Sequence, residues 1–312
     1  MKKAIITGAT GFIGTYLVKE LISHNVNVIA VLKDTETVMD KSIESYVYKT
    51  VYCDLANIVN LDQLIDDRDV DVFYHLAWQG SAGSSRTDVE LQMQNVIWSV
   101  DSIKAAKKIG CKKYVGAGSI MEKETISAVY ENNTHPGLGY IYGTGKLATH
   151  SITKSVASSL GIDHIWCMIT NAYGPGEYSS RFINMTLRRI INRLSLDFTS
   201  ATQNYDFIYV TDVASAFYHI GVQGIPFNNY VIGSLKAKPL KEFILEIKSE
   251  IAPRDTFNFG NIPYSGTNLL LKDFDASNLL EDTDFRPRIS FREGIRKTFE
   301  WLIEVEKNDS KL

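Results

Sequence analysis

The sequence predicts a doubly wound α/β fold, in which helices cover both faces of a parallel β-sheet, followed by a smaller mixed α/β region. Two observations lead to this fold class. Short β-rich apolar runs alternate with segments of helical periodicity through the first 170 residues. In addition, the first 32 residues run in the order strand, glycine turn, helix, strand. That order is a βαβ unit, whose crossover is almost always right-handed and whose strands are parallel.

The elements follow in this order along the chain. The first βαβ unit consists of a strand at 3–8, a helix at 12–25 and a strand at 26–32. The alternation continues with strands at 51–55, 70–78, 112–120 and 163–170, and with helices at 93–110 and from Tyr142 onward. Past residue 171 shorter elements are predicted, namely a helix at 180–194, a strand near 205–210, and helices near 239–251 and 291–305. No polar linker separates the two regions, so we expect interleaved domains.

Composition narrows the class of partner. The chain of 312 residues has a net charge of −3 and no block of like charges, which argues against nucleic acid or an anionic membrane and favours a small molecule. Cys53, Cys111 and Cys167 are widely spaced in apolar runs, so we expect reduced core residues and no disulfide framework or metal site. The first residues predict neither a signal peptide nor a membrane span, and a cytoplasmic protein is the expectation.

A glycine-rich turn follows the first strand. The stretch GATGFIG places Gly8, Gly11 and Gly14 before the first helix. Such glycines permit a tight turn and a close approach of the backbone to a pyrophosphate, while the helix N-terminus offers N–H groups and partial positive charge. Because this turn lies within a βαβ unit, it predicts dinucleotide binding. We therefore interpret residues 1–170 as a dinucleotide-binding domain, to which 205–230 return, and 171–312 as a substrate domain.

The end of the second strand bears on the choice of nicotinamide cofactor. An acidic residue there would bind the ribose 2′-hydroxyl of NAD and repel the 2′-phosphate of NADP. The chain has Leu32 at that place, followed by Lys33, and a lysine can pair with a phosphate. Asp34 is the competing observation, because it could serve a hydroxyl or offset Lys33. The sequence favours NADP(H) over NAD(H). Asp54 is a candidate for the adenine edge or, alternatively, a helix N-cap.

Tyr142 and Lys146 lie four residues apart at the start of a predicted helix. A four-residue step turns a helix through about 400°, so both side chains lie on one face. Such a pair can simply cover a half-buried helix with apolar stems. It can also be a phenol whose proton transfer is assisted by a nearby positive charge. The spacing alone leaves both interpretations open.

Taken together, the motifs resemble a known family, the extended short-chain dehydrogenase/reductases, and within it the nucleotide-sugar epimerases, dehydratases and reductases. The resemblance covers nearly the whole chain. It rests on TGATGFIG from residue 7, CDL at 53–55, HLAW at 75–78, NV at 95–96, VGAGS at 115–119, Tyr142 with Lys146, NAYGPG at 171–176, YDFIYVTDVASA at 205–216 and FRPRISFREGIRKTFEW at 285–301. It implies a Rossmann sheet, a nicotinamide cofactor and a nucleotide-sugar substrate.

The resemblance also implies roles for individual residues. Ser119 would orient the substrate oxygen, Tyr142 would exchange the proton, and Lys146 would stabilise the phenolate and hold the nicotinamide ribose. The implied cofactor-binding residues are Gly8, Thr10, Gly11, Phe12, Ile13, Gly14, Lys33, Asp54, Leu55, Leu76, Ala77 and Lys146. The implied substrate-binding residues are Ser119, Tyr142, Asn171, Arg181 and Tyr205. Relatives often dimerise through helices like 87–109 and 142–160, so a homodimer is expected.

Departures from the family pattern affect phosphate binding and the reaction. Met168 stands where relatives usually carry arginine, and Tyr205 where they often carry another. Arg181, Arg286 or Arg288 could supply the missing charge, and the sequence does not distinguish among them. A 4,6-dehydratase usually has an Asp-Glu pair directly after the serine or threonine. This chain has Ile120 and Met121 at those places, although Glu122 lies close by.

The sequence therefore favours an NADP(H)-dependent reductase acting on a nucleotide-linked 4-keto-6-deoxy sugar. The alternative is an NAD-dependent nucleotide-sugar 4-epimerase, which oxidises and re-reduces one sugar carbon without releasing its cofactor. A catalytically idle NADP-binding regulatory protein is a further alternative, because one fold hosts many functions. The joint presence of Ser119, Tyr142 and Lys146 argues against that last interpretation.

Overall fold

A computed structural model describes residues 1–264 and 266–309. The strands are β1 (Lys3–Thr7), β2 (Asn27–Leu32), β3 (Lys49–Tyr52), β4 (Val72–His75), β5 (Lys113–Ser119), β6 (Asp163–Ile169), β7 (Asn171–Tyr173), β8 (Leu196–Phe198), β9 (Asn204–Tyr205), β10 (Phe207–Tyr209), β11 (Asn229–Ile232), β12 (Lys238–Pro239) and β13 (Phe257–Phe259). The α-helices are α1 (Phe12–Ser23), α2 (Lys41–Glu44), α3 (Val89–Ile109), α4 (Met121–Tyr130), α5 (Ile141–Leu160), α6 (Phe182–Ile191), α7 (Val210–Gln223), α8 (Leu240–Ile251), α9 (Ser277–Asp282) and α10 (Phe291–Asp309). Segments of 3₁₀-helix span Leu55–Gln63, Ser84–Thr87, Leu138–Tyr140 and Leu271–Phe274.

A seven-stranded parallel sheet forms the centre of the fold. Its order is β11-β6-β5-β4-β1-β2-β3. Strands β2 and β3 lie on one side of β1, and the strands from β4 onward lie on the other, so the order of the strands changes direction between β1 and β4. The register pairs Ile5 with Ile29 on one side of β1 and with Phe73 on the other. The doubly wound α/β class predicted from the sequence is confirmed. In such sheets ligands bind outside the carboxyl ends of the strands, near this change of direction.

Two apolar layers hold helices against the sheet. Side chains alternate between the faces of a strand, so Ile5 joins the layer beneath α3 while Ala4 and Ile6 join the layer beneath α1 and α7. Tyr74 lies fully buried in the latter layer, and its hydroxyl donates to the carbonyl of Phe217 at 3.2 Å. Because both faces are covered, the central strands are apolar on both sides.

The region after β6 has its own aromatic core. Phe207 on β10 packs edge-on against Phe243 of α8, with ring centroids 5.0 Å apart. Phe291, at the start of α10, contacts both rings. β11 lies beside β6 at the edge of the large sheet, and α7 packs against α1. Segments of the chain from 205 to 232 therefore contact both regions.

Some element boundaries differ from the sequence expectations. A strand was expected at 51–55, but β3 ends at Tyr52 because Asp54 caps the following 3₁₀-helix by accepting a hydrogen bond from the Ala56 amide at 2.8 Å. The segment expected as one strand near 205–210 consists of the short strands β9 and β10. Helix α4, directly after β5, was not predicted. Its orientation determines which of its glutamates, Glu122 or Glu124, faces the cavity described below.

Candidate active site

One cavity of about 650 Å³ runs along the carboxyl ends of the parallel strands. It is lined by glycine-loop residues, by the ends of β2 and β5, by α5 and by residues that follow β6. Every residue that the family resemblance implied for cofactor or substrate lies on its wall, whereas Arg286 and Arg288, offered as alternatives to Arg181, do not. The implied residues on the wall are Gly8, Thr10, Gly11, Phe12, Ile13, Gly14, Lys33, Asp54, Leu55, Leu76, Ala77, Ser119, Tyr142, Lys146, Asn171, Arg181 and Tyr205. The structure thus brings together residues up to about 200 positions apart, which span one continuous surface.

The glycine loop packs too closely to accept side chains. Gly8 has a φ of +73°, and a Cβ there would lie 2.8 Å from the amide nitrogen of Ala77. A Cβ on Gly14 would lie 1.9 Å from the carbonyl oxygen of Gly8. Gly11 caps α1 without a side-chain hydrogen bond, and the first turn carries no acidic residue. The amides at the start of α1 are therefore oriented for an anionic ligand.

Lys33 and Asp34 directly follow β2, and their side chains lie in different surroundings. Lys33 is exposed and lines the cavity. The Asp34 carboxylate is bound within its own loop, where it accepts from the amides of Glu36 and Thr37 at 3.1 and 2.9 Å and from the Thr37 hydroxyl at 2.8 Å. The hydrogen bond from the Thr37 hydroxyl is the main reason that the pKa of Asp34 is lowered. Lys33 therefore presents the charge at this end of the cavity. Asp54 lines the same end while serving as the N-cap described above.

Ser119 and Tyr142 meet at the end of β5. Ser119 is the last residue of β5, and its hydroxyl accepts from the Met121 amide at 3.2 Å. Tyr142 lies in the first turn of α5 and is 8% exposed. Burial raises the pKa of Tyr142, while Arg181, Arg86 and a hydrogen bond with Ser119 act in the opposite direction. The net direction keeps the phenol protonated at neutral pH.

Lys146 is directed inward, one turn along α5 from Tyr142. Its side chain is 5% exposed overall, its Nζ donates to the carbonyl of Ala117 at 2.8 Å, and it lies 3.7 Å from the centre of the Trp78 ring. Burial lowers the pKa of Lys146 to about 7. The ammonium is therefore only partly protonated near neutral pH, and small changes in its surroundings would change its charge.

The glutamates of α4 occupy different sides of the helix. Glu122 is 1% exposed and lies behind Ser119, where one carboxylate oxygen accepts from the Ser119 amide and from Trp166 Nε1, each at 2.9 Å. Its other oxygen lies 3.0 Å from Nδ1 of His150. Glu124, which the sequence reading did not single out, lines the cavity, and burial raises its pKa to about 7. Glu122 therefore does not line the cavity, although it is only three residues from Ser119 in the sequence.

The arginines divide between the cavity and the rest of the fold. Arg181 lines the cavity and lies 3.6 Å from the carboxylate of Glu177. Arg286 instead donates to backbone carbonyls of its own turn, among them that of Thr283 at 3.2 Å. Of the three arginines left open by the sequence, Arg181 is the one on the cavity wall. Arg86, which carried no motif, also lines the cavity and stacks on Tyr142.

The remaining predicted residues form the wall near β7 and β9. The side-chain amide of Asn171 donates to the carbonyl of Asp206 at 3.0 Å, which fixes the amide at the cavity edge. Tyr205 stacks on Phe207 with centroids 5.6 Å apart, and burial raises its pKa to about 12. His75 lies in the core, where burial lowers its pKa to about 3 and its Nδ1 meets the Thr7 hydroxyl at 2.9 Å.

Two further observations concern the protein as a whole. Cys53, Cys111 and Cys167 are buried and unpaired. Within residues 1–264 and 266–309, no helix combines the length and the apolar character that crossing a bilayer requires.

Comparison with known proteins relates this geometry to a family. The NAD dependent epimerase/dehydratase family matches residues 4–233. The human dTDP-D-glucose 4,6-dehydratase is 24% identical over 97% of the chain and 90% of its own length. The dTDP-4-dehydro-6-deoxyglucose reductase of Escherichia coli is 24% identical over 94% of the chain and 95% of its own length.

Solved structures show the same fold. The UDP-glucose 4-epimerase of Thermotoga maritima with UDP-glucose superimposes with a TM-score of 0.77 at 20% identity, over 97% of this chain and 99% of that one. The dTDP-glucose 4,6-dehydratase of Bacillus anthracis in complex with NAD gives a TM-score of 0.78 at 18% identity, over 98% of both chains.

Proposed function

Because the chain belongs to the NAD dependent epimerase/dehydratase family, and is thus an NAD(P)-dependent oxidoreductase of the extended short-chain dehydrogenase/reductases, we propose that it reduces the 4-keto group of a nucleotide-activated 4-keto-6-deoxy sugar with NADPH. Such a reaction belongs to deoxysugar and surface polysaccharide biosynthesis. The observation that carries the proposal is the exposed Lys33 on the cavity wall, with the Asp34 carboxylate bound in its own loop. The likeness to the Escherichia coli reductase supports the same reaction.

The cavity fits a nicotinamide dinucleotide. Gly8 and Gly14 leave no room for a Cβ, so the loop backbone itself forms the floor beside the start of α1, as a pyrophosphate site requires. In the proposal Lys33 pairs with the 2′-phosphate and Asp54 and Leu55 border the adenine. Leu76, Ala77 and Lys146 border the nicotinamide half, and the loop residues Thr10, Gly11, Phe12 and Ile13 border the phosphates.

The proposed chemistry assigns the proton to Tyr142. When bound, the cofactor supplies the hydride from C4 of its nicotinamide. The Ser119 hydroxyl binds the 4-keto oxygen and orients it, and the Tyr142 phenol donates its proton to the same oxygen. The raised pKa of Tyr142 suits an acid, since the phenol is protonated at neutral pH before the reaction.

The nucleotide part of the substrate would bind at the opposite wall. Arg181 supplies a positive charge for the diphosphate, and Asn171 and Tyr205 border the sugar and nucleotide. Dehydration receives less support than reduction, because Ile120 and Met121 occupy the places of the acid and base, and Glu122 lies behind Ser119 rather than on the cavity wall.

Cofactor selection tests the proposal. Purified protein is analysed for bound nucleotide and titrated with NADPH and with NADH by fluorescence. We expect NADPH to bind more tightly, and Lys33→Ala to weaken NADPH by about tenfold while leaving NADH unchanged, because a charge-assisted hydrogen bond to phosphate is lost. Lys41→Ala, an exposed lysine of α2 away from the cavity, is the control.

Two results would contradict the reductase. Undiminished NADPH affinity in Lys33→Ala would remove its main support. Copurified NAD that does not exchange would favour the 4-epimerase instead, to be checked with UDP-glucose as substrate. Consumption of NADPH at 340 nm with 4-keto-6-deoxy nucleotide sugars is the result that the proposal requires.

The proposal includes a homodimer and a cytoplasmic location. Val89, Met93 and Ile97 form an exposed apolar stripe at four-residue spacing on α3, and Ile152 is exposed on the neighbouring α5. Sedimentation is expected to show a dimer that Ile97→Glu converts to a monomer, whereas Val38→Glu at a distant exposed site leaves it intact. A monomeric wild-type protein would contradict this assembly. The three buried, unpaired thiols fit a reducing compartment.

A further inference from the structure

Arg86 lies against the face of the Tyr142 ring. It belongs to the 3₁₀-helix Ser84–Thr87 between β4 and α3, and its guanidinium carbon is 4.6 Å from the ring centroid. Trp78 meets the same tyrosine edge-on, with centroids 6.0 Å apart and the rings 81° to one another. The phenol ring is thus held between an aromatic edge and a cation. A guanidinium over an aromatic face is a favourable arrangement.

The charge of Arg86 lies over the Tyr142 ring and forms no ion pair with the described residues. Its Nε is buried and has no hydrogen-bond partner. Glu124 is the nearest acidic group that responds to this charge, since Arg86 lowers the pKa of Glu124. An arginine stays protonated across the whole accessible pH range. Its positive charge is therefore permanent.

Lys146 differs from Arg86 in this respect. Its Nζ is occupied by the Ala117 carbonyl and the Trp78 ring, and lies 5.9 Å from the centre of the Tyr142 ring. Its pKa of about 7 leaves it partly neutral in the pH range where the enzyme would work. A partly neutral lysine stabilises a neighbouring phenolate less than a permanently charged group does.

We propose that Arg86 is a positioning residue for the reaction proposed above, on which this inference rests: stacked on Tyr142, it supplies the permanent positive charge that stabilises the phenolate. In the reduction the O–H bond of Tyr142 breaks and an O–H bond forms on the substrate oxygen, while the hydride comes from NADPH. The phenolate then persists until solvent reprotonates it. Arg86 lowers the free energy of that anion throughout.

Other charges face Tyr142 from the surrounding elements. Arg181 lowers the pKa of Tyr142 more than Arg86 does in this structure. Its side chain is 42% exposed and lies near Glu177, however, so water and the carboxylate screen its charge. Glu122, behind β5, raises the pKa of Tyr142, and the Ser119 hydroxyl lowers it through a hydrogen bond. Of Arg86 and Arg181, Arg86 is the arginine that contacts the Tyr142 ring.

The first test needs no substrate. Tyrosine labelled with ¹³C at Cζ reports ionisation of each phenol by NMR, and Tyr142→Phe identifies the signal of Tyr142 among the 16 tyrosines. We expect Arg86→Met to move the titration midpoint of Tyr142 upward by about one pH unit, and Arg86→Lys to restore part of the shift. Arg296→Met removes an exposed arginine of α10 paired with Glu250 and serves as control. An unchanged midpoint in Arg86→Met would overturn the inference.

The second test uses the pH dependence of the reaction in the oxidative direction, where Tyr142 acts as base. The acidic limb of kcat/KM is expected to move upward in Arg86→Met by the same amount as the NMR midpoint, with partial recovery in Arg86→Lys. A raised KM for the nucleotide sugar with an unmoved limb would overturn the inference, because Arg86 would then bind substrate. If wild-type protein turns over no nucleotide sugar, the proposed function fails, and the NMR titration still decides the role of Arg86. Arg86→Gln replaces Arg86→Met where the latter does not fold.

Discussion

Burial of Lys146 carries a free-energy penalty that a mutation should remove. Its pKa falls from the ordinary value of 10.5 to about 7 because the side chain is buried, with its ammonium against the Trp78 ring. This shift corresponds to about 5 kcal/mol of disfavoured protonation, since each pKa unit is about 1.4 kcal/mol. Replacing Lys146 by methionine, which has a similar length, loses one hydrogen bond to Ala117, or about 1 kcal/mol. At pH 7 the folded lysine is about half protonated, which leaves a penalty of about 4 kcal/mol, so we expect Lys146→Met to stabilise the cofactor-free protein at pH 7 by about 3 kcal/mol.

The sign of the pH dependence follows from linkage. Between pH 7 and the unfolded-state pKa, the unfolded chain binds the Lys146 proton and the folded chain largely does not, so stability rises with pH. Raising the pH from 7 to 9 should stabilise the wild type relative to Lys146→Met by about 2 kcal/mol. The gap between the two proteins therefore narrows as the pH increases.

Urea unfolding at several pH values measures both effects. Fluorescence of the four tryptophans reports unfolding, and the variant serves as the reference in which other titrating groups cancel. The variant is expected to be inactive although more stable. A less stable Lys146→Met protein, or a stability gap independent of pH between 7 and 9, would refute the assignment of a depressed pKa to Lys146.

Three other substitutions test different parts of the site. Gly14→Ala places a Cβ 1.9 Å from the Gly8 carbonyl oxygen, so α1 must shift. Thermal unfolding should show a loss of about 2 kcal/mol in stability, and titration should show a loss of NADPH binding. A variant that binds NADPH normally would contradict the packing argument. Glu122→Leu leaves the buried amide of Ser119 and Trp166 Nε1 unpaired, and should lower the free energy of urea unfolding by about 3 kcal/mol. Glu122→Gln retains an acceptor and should lower it by less than half of that amount. Equal losses in the two variants would argue against these hydrogen bonds. Tyr142→Phe should lower kcat by about 10²–10⁴-fold with little change in KM; an active variant would remove Tyr142 as the acid.

The sequence predicted those parts of the site that depend on local spacing. Glycines between a strand and a helix, and a tyrosine four residues before a lysine, have the same relation in any structure that keeps the local elements. The order of apolar runs likewise predicted the parallel sheet. The cavity that contains these residues was therefore within reach of sequence reasoning.

Residues whose position depends on tertiary packing were missed. Arg86 lies in a short 3₁₀-helix without periodicity, and nothing near it in sequence indicates a contact with Tyr142, 56 positions later. Glu122 and Glu124 are two residues apart on α4, and a helix turns through about 200° over that distance, so they face opposite sides. Because α4 was not predicted, the sequence reading had no basis for preferring Glu124 over Glu122.

The geometry bears on the two interpretations of the Tyr142 and Lys146 pair. A lysine that merely covers a half-buried helix keeps its ammonium in water and has an ordinary pKa. Lys146 instead places its Nζ on the Trp78 ring inside the cavity wall, at an energetic penalty that packing alone does not repay. A methionine would fill the same space without that penalty. A destabilising cation at this position is therefore better explained by chemistry in the cavity than by the stability of the helix.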